Sequence, residues 1–70
     1  MQPQEALSDI RRSLHELAQP LAAVTGIVDL MLLEQREDSP LFADIKMINE
    51  RLDKVLEIIA HIQTIIRAVT

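Results

Sequence analysis

The sequence predicts an all-α protein, an antiparallel helical hairpin that homodimerises into a four-helix bundle. Apolar residues recur at alternating steps of three and four along two stretches of the chain. This is the heptad spacing of helices that pack at small crossing angles. A chain of 70 residues rarely buries enough apolar surface to be stable alone. This one has no cysteine, so no disulfide can stabilise it. A second copy is therefore expected to complete the core.

The first helix is predicted over 5–35 and the second over 40–69, joined by a turn at 36–39. Ser39 followed by Pro40 is typical of an N-cap with proline at the first helical position. A connection this short places consecutive helices side by side and antiparallel. All 70 residues are therefore interpreted as one hairpin domain.

The residues at the heptad positions are expected to form a seam that faces the neighbouring helices. Further apolar residues flank this seam and widen it beyond what two helices cover, which again favours a homodimer. The predicted seam consists of Leu7, Ile10, Leu14, Leu17, Leu21, Val24, Val28 and Met31 in the first helix and Leu41, Ile45, Ile48, Leu52, Val55, Ile59, Ile62, Ile66 and Val69 in the second, with Ile27, Leu32, Leu56, Ile58 and Ile65 beside it.

Charge and hydropathy exclude several classes of partner. The formal net charge of −4 argues against nucleic acid, which requires a basic surface. The longest uncharged apolar run, Leu17–Val28, is shorter than the roughly 18–20 residues of a membrane span. The start, MQPQEALSD, has neither the basic region nor the apolar core of a signal peptide. We expect a cytoplasmic segment without membrane contact, on its own or within a membrane-anchored sensor.

The stretch Ser13–Met31, SLHELAQPLAAVTGIVDLM, contains a proline in the middle of a regular helical pattern. Pro20 cannot donate to the carbonyl of Glu16, and its ring crowds that carbonyl, at a cost of about 3 kcal/mol. The heptad register places His15 on the solvent side, one position from the seam. The kink at Pro20 therefore coincides with the chain's only His-Glu pair, which favours a functional bend over a tolerated one.

Beyond Pro20, the outer face of the first helix is small or apolar apart from Asp29, whereas that of the second helix is charged. An exposed apolar strip indicates a docking surface; the alternative is packing within a larger bundle. The strip comprises Ala22, Ala23, Gly26, Leu30 and Leu33, and the charged face comprises Lys46, Glu50, Asp53, Lys54, Glu57 and Arg67.

The segment LHELAQPLAAVTGIVDLML resembles the H-box of sensor histidine kinases. It has a histidine, an acidic residue, leucine, two variable positions, Pro-Leu, and then glycine before an apolar pair. The resemblance covers about twenty residues, and it implies the family's dimerisation and histidine-phosphotransfer (DHp) domain, a homodimeric four-helix bundle of two-component signalling.

The resemblance implies a nucleophilic role for His15, which would accept the γ-phosphoryl group of ATP and pass it to an aspartate of a response-regulator receiver domain. It also implies that Glu16 orients the imidazole and accepts its proton. Gln19 occupies the position where the family often has Asn or Thr, implicated in dephosphorylating the regulator. Arg11 or Arg12 would favour the charge of the phosphoryl group.

The resemblance further implies the partners of the chain. The receiver would dock below the histidine, and ATP and Mg²⁺ would be bound by a separate kinase domain acting in cis or in trans. A single glycine excludes the family's glycine-rich ATP-binding boxes, so this chain is expected to hold no cofactor. The expected receiver-docking residues are Ala22, Ala23, Gly26, Ile27 and Leu30.

Two alternatives remain at this stage. One is a non-catalytic dimerisation or adaptor hairpin whose H-box is vestigial. The other is a metal site formed by His15 and His61 with Glu16 or Glu57, but nothing supplies a third ligand at a standard spacing. We therefore expect no metal.

Overall fold

The computed structural model describes residues 2–69, which form two helices packed against each other as a hairpin. Helix α1 spans Pro3–Glu34 and helix α2 spans Pro40–Val69. The predicted all-helical hairpin is thus confirmed, and α1 starts two residues before the predicted position. The described chain measures 54 × 16 × 14 Å, which is the shape of a two-helix rod.

The turn between the helices is held by Ser39. Its hydroxyl accepts a hydrogen bond from the backbone N–H of Leu41 at 3.2 Å and donates one to Gln35 Oε1 at 3.0 Å. The backbone N–H of Phe42 also donates to the carbonyl of Ser39, at 3.1 Å. Ser39 therefore satisfies backbone groups that the first turn of α2 leaves unpaired, as an N-cap does.

The heptad seam divides into two rows in each helix, and only one row faces the other helix. The inner row is buried or half-buried. The outer row, apart from the half-buried Ile62, is 40–64% exposed. The inner row consists of Leu7, Leu14, Leu21 and Val28 in α1 and Ile45, Leu52, Ile59 and Ile66 in α2; the outer row consists of Ile10, Leu17, Val24 and Met31 in α1 and Leu41, Ile48, Val55, Ile62 and Val69 in α2.

The outer rows of the two helices lie on the same side of the hairpin. In each helix the outer row is displaced from the inner row by three residues, a rotation of about 60° in the same sense about the helix axis. Because the helices run antiparallel and face each other, equal rotations bring the two rows onto one flank. We call this flank, formed by the outer rows, the open face.

The hairpin has no deep core. None of the side chains from 2 to 69 is fully buried, and the most buried apolar residue, Ile59, retains 4% exposure. The radius of gyration is 16.1 Å, against about 11 Å for a compact domain of this length. Two helices cover only one side of each other, so the apolar stripe remains open.

Polar residues also contribute to the contact between the helices. Thr25, outside the predicted seam, is buried, and its hydroxyl donates to the carbonyl of Leu21 at 2.8 Å. The side-chain amide of Asn49 donates to the carboxylate of Asp29 in the other helix. Two of the flanking apolar residues, Leu32 and Leu56, are half-buried between the helices. The other three are exposed: Ile27, Ile58 and Ile65.

Within the described chain, α1 is long and apolar enough to cross a membrane by length and composition. This differs from the expectation based on the uncharged run, because a span can include a charged residue such as Asp29. Only 11% of the apolar 18-residue window of α1 is buried in the hairpin. An amphipathic helix from the core of a bundle has the same length and composition.

Candidate functional site

His15 is exposed on α1, and its ring contacts the side chain one helical turn further on. Gln19 Nε2 lies 3.2 Å from His15 Nε2, the geometry of an i, i+4 pair. An amide nitrogen can only donate, so the ring nitrogen that it contacts must carry the lone pair. This arrangement predicts a proton on Nδ1 and a lone pair on Nε2.

Glu16 is not part of this contact. Adjacent helical residues project about 100° apart, and within residues 2–69 no hydrogen bond or ion pair joins Glu16 to His15. The side chain that the structure brings to the imidazole is therefore Gln19, one turn away.

Pro20 lies inside α1, which continues without a break from Pro3 to Glu34. Since proline has no N–H, the carbonyl of Glu16 lacks its regular helical donor. The weak point of the helix thus falls in the turn that carries His15. The bend itself stays a prediction.

A small open cleft of about 640 Å³ lies beside His15, between the beginning of α1 and the end of α2. One of its arginines, Arg12, pairs with Asp9 at 2.8 Å. Sequence reasoning singled out Arg11 and Arg12 but missed the residues from α2, because they are about fifty positions away in sequence. The antiparallel pairing of the two chain ends is the signal that could have found them. The lining residues are Ser8, Arg11, Arg12, His15, Gln63 and Arg67.

Below the histidine, α1 presents an exposed stripe of small and apolar side chains. At steps of three and four residues, Ala22, Gly26 and Leu30 continue from His15 along the same side of the helix, and Ala23 and Ile27 lie beside them. A methyl group added at Gly26 would meet no atom within 4 Å, so the backbone here is open to close approach. The predicted docking residues Ala22, Ala23, Gly26, Ile27 and Leu30 are all exposed, with Ile27 at 58% and Leu30 at 61%.

The two histidines occupy different places. His61 lines a separate depression on α2 together with Lys54 and Glu57. In the part of the chain from 2 to 69, no three His, Asp or Glu side chains are grouped to hold a metal ion. The two histidines are thus not brought into one metal site.

No family model, no curated protein and no solved structure matches this chain. The class that the structure defines is a two-helix hairpin with one apolar flank left open and an exposed histidine outside that flank.

Proposed function

We propose that this chain is the dimerisation and histidine-phosphotransfer domain of a two-component sensor kinase. His15 accepts a phosphoryl group from ATP through a separate catalytic domain and transfers it to an aspartate of a response regulator. The observation that supports this most directly is the exposed imidazole on a helix, with its Nε2 lying 3.2 Å from Gln19 Nε2. It agrees with the resemblance of the surrounding sequence to an H-box.

The chemistry requires only a positioned nucleophile. His15 Nε2 attacks the γ-phosphorus while the bond from that phosphorus to the ADP oxygen breaks, and ADP leaves with the electron pair. The Nδ1 proton then passes to Glu16 after a side-chain rotation, which leaves the phosphorylated ring neutral and the negative charge on the phosphoryl oxygens. In the second transfer a receiver carboxylate oxygen attacks the phosphorus, the N–P electrons return to the imidazole, and Nδ1 takes the proton back from Glu16.

Surface area supports a homodimer formed through the open face. The hairpin exposes 5556 Å², about 1,100 Å² more than the roughly 4,400 Å² expected for a folded monomer of 7.9 kDa. A standard interface buries about 800 Å² on each partner, so one interface accounts for most of the excess. The seven-residue spacing of the outer rows suits knobs-into-holes packing against a second hairpin.

The dimer leaves the histidine accessible. His15 and the open face lie on opposite sides of the line along which α1 contacts α2, as the 100° rotation per residue requires. Two hairpins that join their open faces therefore form a four-helix bundle with both imidazoles outside. The bundle can be completed without covering the nucleophile.

A receiver domain is proposed to dock on the stripe below His15. Small residues there, Ala22 and Gly26, allow a partner backbone to come close, and Ile27 and Leu30 supply exposed apolar area. A partner held on this stripe has its aspartate next to the phosphohistidine, which shortens the transfer to one positioned step.

ATP and Mg²⁺ are proposed to enter only through the separate kinase domain, in cis or in trans. We also place this segment in the cytoplasm, where ATP is available. Its α1 carries the exposed residues Glu16 and Asp29 at the two ends of the apolar run Leu17–Val28. Charged side chains are costly in a bilayer.

The test is phosphorylation in the presence of an ATP-binding kinase domain, or of a phosphorylated receiver. The expected label is acid-labile and alkali-stable, is present in the wild-type chain, and is lost in His15→Gln. The matched control is His61→Gln, because His61 is also an exposed histidine of the hairpin, and it should label normally. Labelling that persists in His15→Gln overturns the assignment.

A second candidate function is a non-catalytic dimerisation or adaptor hairpin. The observation that favours it is the missing hydrogen bond between Glu16 and His15 in the described chain, since the resemblance assigns Glu16 the orientation of the ring. The same experiment separates the two candidates: the adaptor dimerises and binds a receiver but acquires no label.

A further inference from the structure

We infer that the cleft at the open end of the hairpin is a binding site for a phosphate-type oxyanion, with a function separate from phosphoryl transfer by His15. We call it the arginine cleft. It is lined by Ser8, Arg11, Arg12 and His15 from α1 and by Gln63 and Arg67 from α2.

The charge of the arginine cleft is opposite to that of the whole chain. Three of the seven Lys and Arg residues line it, although the chain has a net charge of −4. No carboxylate is among its lining residues. A local concentration of positive charge in an acidic chain attracts an anion by its field rather than by the overall charge.

Two of the three guanidinium groups have no counter-ion among residues 2–69. Asp9 pairs with Arg12 at 2.8 Å, whereas Arg11 and Arg67 form no ion pair within the described range 2–69. Like charges that share a cleft repel each other, and an anion placed between them turns this repulsion into attraction. Within the described range, the guanidinium groups of Arg11 and Arg67 therefore lack an anionic hydrogen-bond acceptor, which a ligand can provide.

The donors suit a tetrahedral oxyanion. Each guanidinium offers several N–H groups in a planar fork that matches phosphate oxygens. The hydroxyl of Ser8 and the half-buried side-chain amide of Gln63 add donors of a different direction. A phosphate group has enough acceptor oxygens for donors from both helices, whereas a carboxylate has only two.

The position of the site gives it a measurable consequence. Its residues come from the beginning of α1 and the end of α2, so a bound phosphate holds together the end of the hairpin that has no connecting turn. A ligand that binds only the folded state stabilises it by mass action. Phosphate should therefore raise the unfolding temperature.

The experiment is thermal unfolding, followed by circular dichroism at fixed protein concentration, in inorganic phosphate or pyrophosphate against chloride of matched ionic strength. At a ligand concentration about four-fold above its Kd, the midpoint should rise by roughly 4–8 °C. The rise should be lost in Arg67→Gln and, as a second variant, in Arg11→Gln. Arg51→Gln is the matched control, because Arg51 is an exposed arginine of α2 outside the cleft.

The outcomes are distinct. A rise with both anions supports free phosphate as a ligand, and a rise with pyrophosphate alone supports the inference with a polyphosphate chain as the source. An equal rise in Arg67→Gln, Arg11→Gln and Arg51→Gln is a general salt effect and overturns the inference, as does no rise in the wild type. Phosphoryl transfer is measured separately, by the label on His15, so that failure of phosphoryl transfer and failure of anion binding are separate results.

Discussion

At the scale of single residues, the imidazole of His15 is served by a side chain one helical turn away and not by its neighbour in sequence. Gln19 reaches His15 Nε2 at 3.2 Å because i, i+4 residues lie on the same side of a helix. Glu16 follows His15 directly and therefore points elsewhere. In this structure the imidazole therefore contacts the Gln19 amide, and the role of Glu16 as a base stays a proposal.

Replacing Gln19 by Ala should change the tautomer of His15 without changing the fold. In the wild type, Gln19 Nε2 lies 3.2 Å from His15 Nε2, and we expect an amide that donates there to favour the proton on Nδ1. In Gln19→Ala the ring loses this preference. The ¹⁵N chemical shifts of the imidazole at alkaline pH report which nitrogen carries the proton. Glu16→Gln is the control and should leave these shifts unchanged. A wild-type ring protonated on Nε2 contradicts the assignment.

Exposure of His15 was predictable from its register, since one position beside an apolar seam is a solvent position on a packed helix. Its position in a cleft that Gln63 and Arg67 also line was not. Local periodicity reports which side of a helix is apolar, but a cleft formed by both chain ends depends on how two helices align in three dimensions. Predicting it requires the pairing of the helices as well as their patterns.

At the scale of elements, α1 carries a proline that its hydrophobic pattern does not need. The helix is continuous through Pro20, so the surrounding turns compensate for the missing hydrogen bond to the carbonyl of Glu16. Packing of the inner row against α2 provides this compensation. Pro20 therefore lowers the local stability of a helix that is otherwise regular.

Pro20→Ala should stabilise the hairpin by up to about 3 kcal/mol, because the new N–H restores the hydrogen bond to Glu16 and relieves the ring contact. Urea unfolding at fixed protein concentration measures the change. Under the proposed function, labelling of His15 should fall in the same variant as the bend is lost. The control is Ala18→Pro, which should destabilise α1. A variant no more stable than the wild type contradicts the expected cost of Pro20.

The extent of both helices and the cap at Ser39 follow from spacing and turn chemistry, and the structure places α2 at Pro40–Val69. The division of the seam into inner and outer rows does not follow from the pattern alone. A heptad repeat gives the two rows equal hydrophobicity, and only the hairpin geometry shows which row α2 covers. The buried Thr25 was also missed, because a threonine that bonds to Leu21 in its own helix has no apolar signature.

At the scale of the whole molecule, the hairpin covers only one of the two apolar rows of each helix. The inner row is covered by the other helix, while outer-row residues such as Leu17, Ile48 and Val55 are 51%, 51% and 40% exposed. Isolated exposed apolar residues are common, but a continuous face of them marks an interface. The open face is thus the surface on which the proposed dimer depends.

Ile48→Glu should dissociate the proposed dimer. Each dimer would bury two unpaired carboxylates, a cost of several kcal/mol, so the dissociation constant should rise about 100-fold or more. Sedimentation equilibrium measures the change. The matched control is Met47→Glu: Met47 is 54% exposed, close to the 51% of Ile48, but it lies outside the outer row. Equal effects of the two substitutions would falsify the open face as the dimer interface.

The open face also has a consequence for the abundance of this protein in a cell. With the dimer as proposed, much of the apolar surface is covered only after two chains meet, so the folded fraction depends on the number of chains per cell. Low expression then favours lone hairpins that chaperones and proteases recognise. Synthesis rate would set how much working protein survives, through the same residues that hold the bundle together.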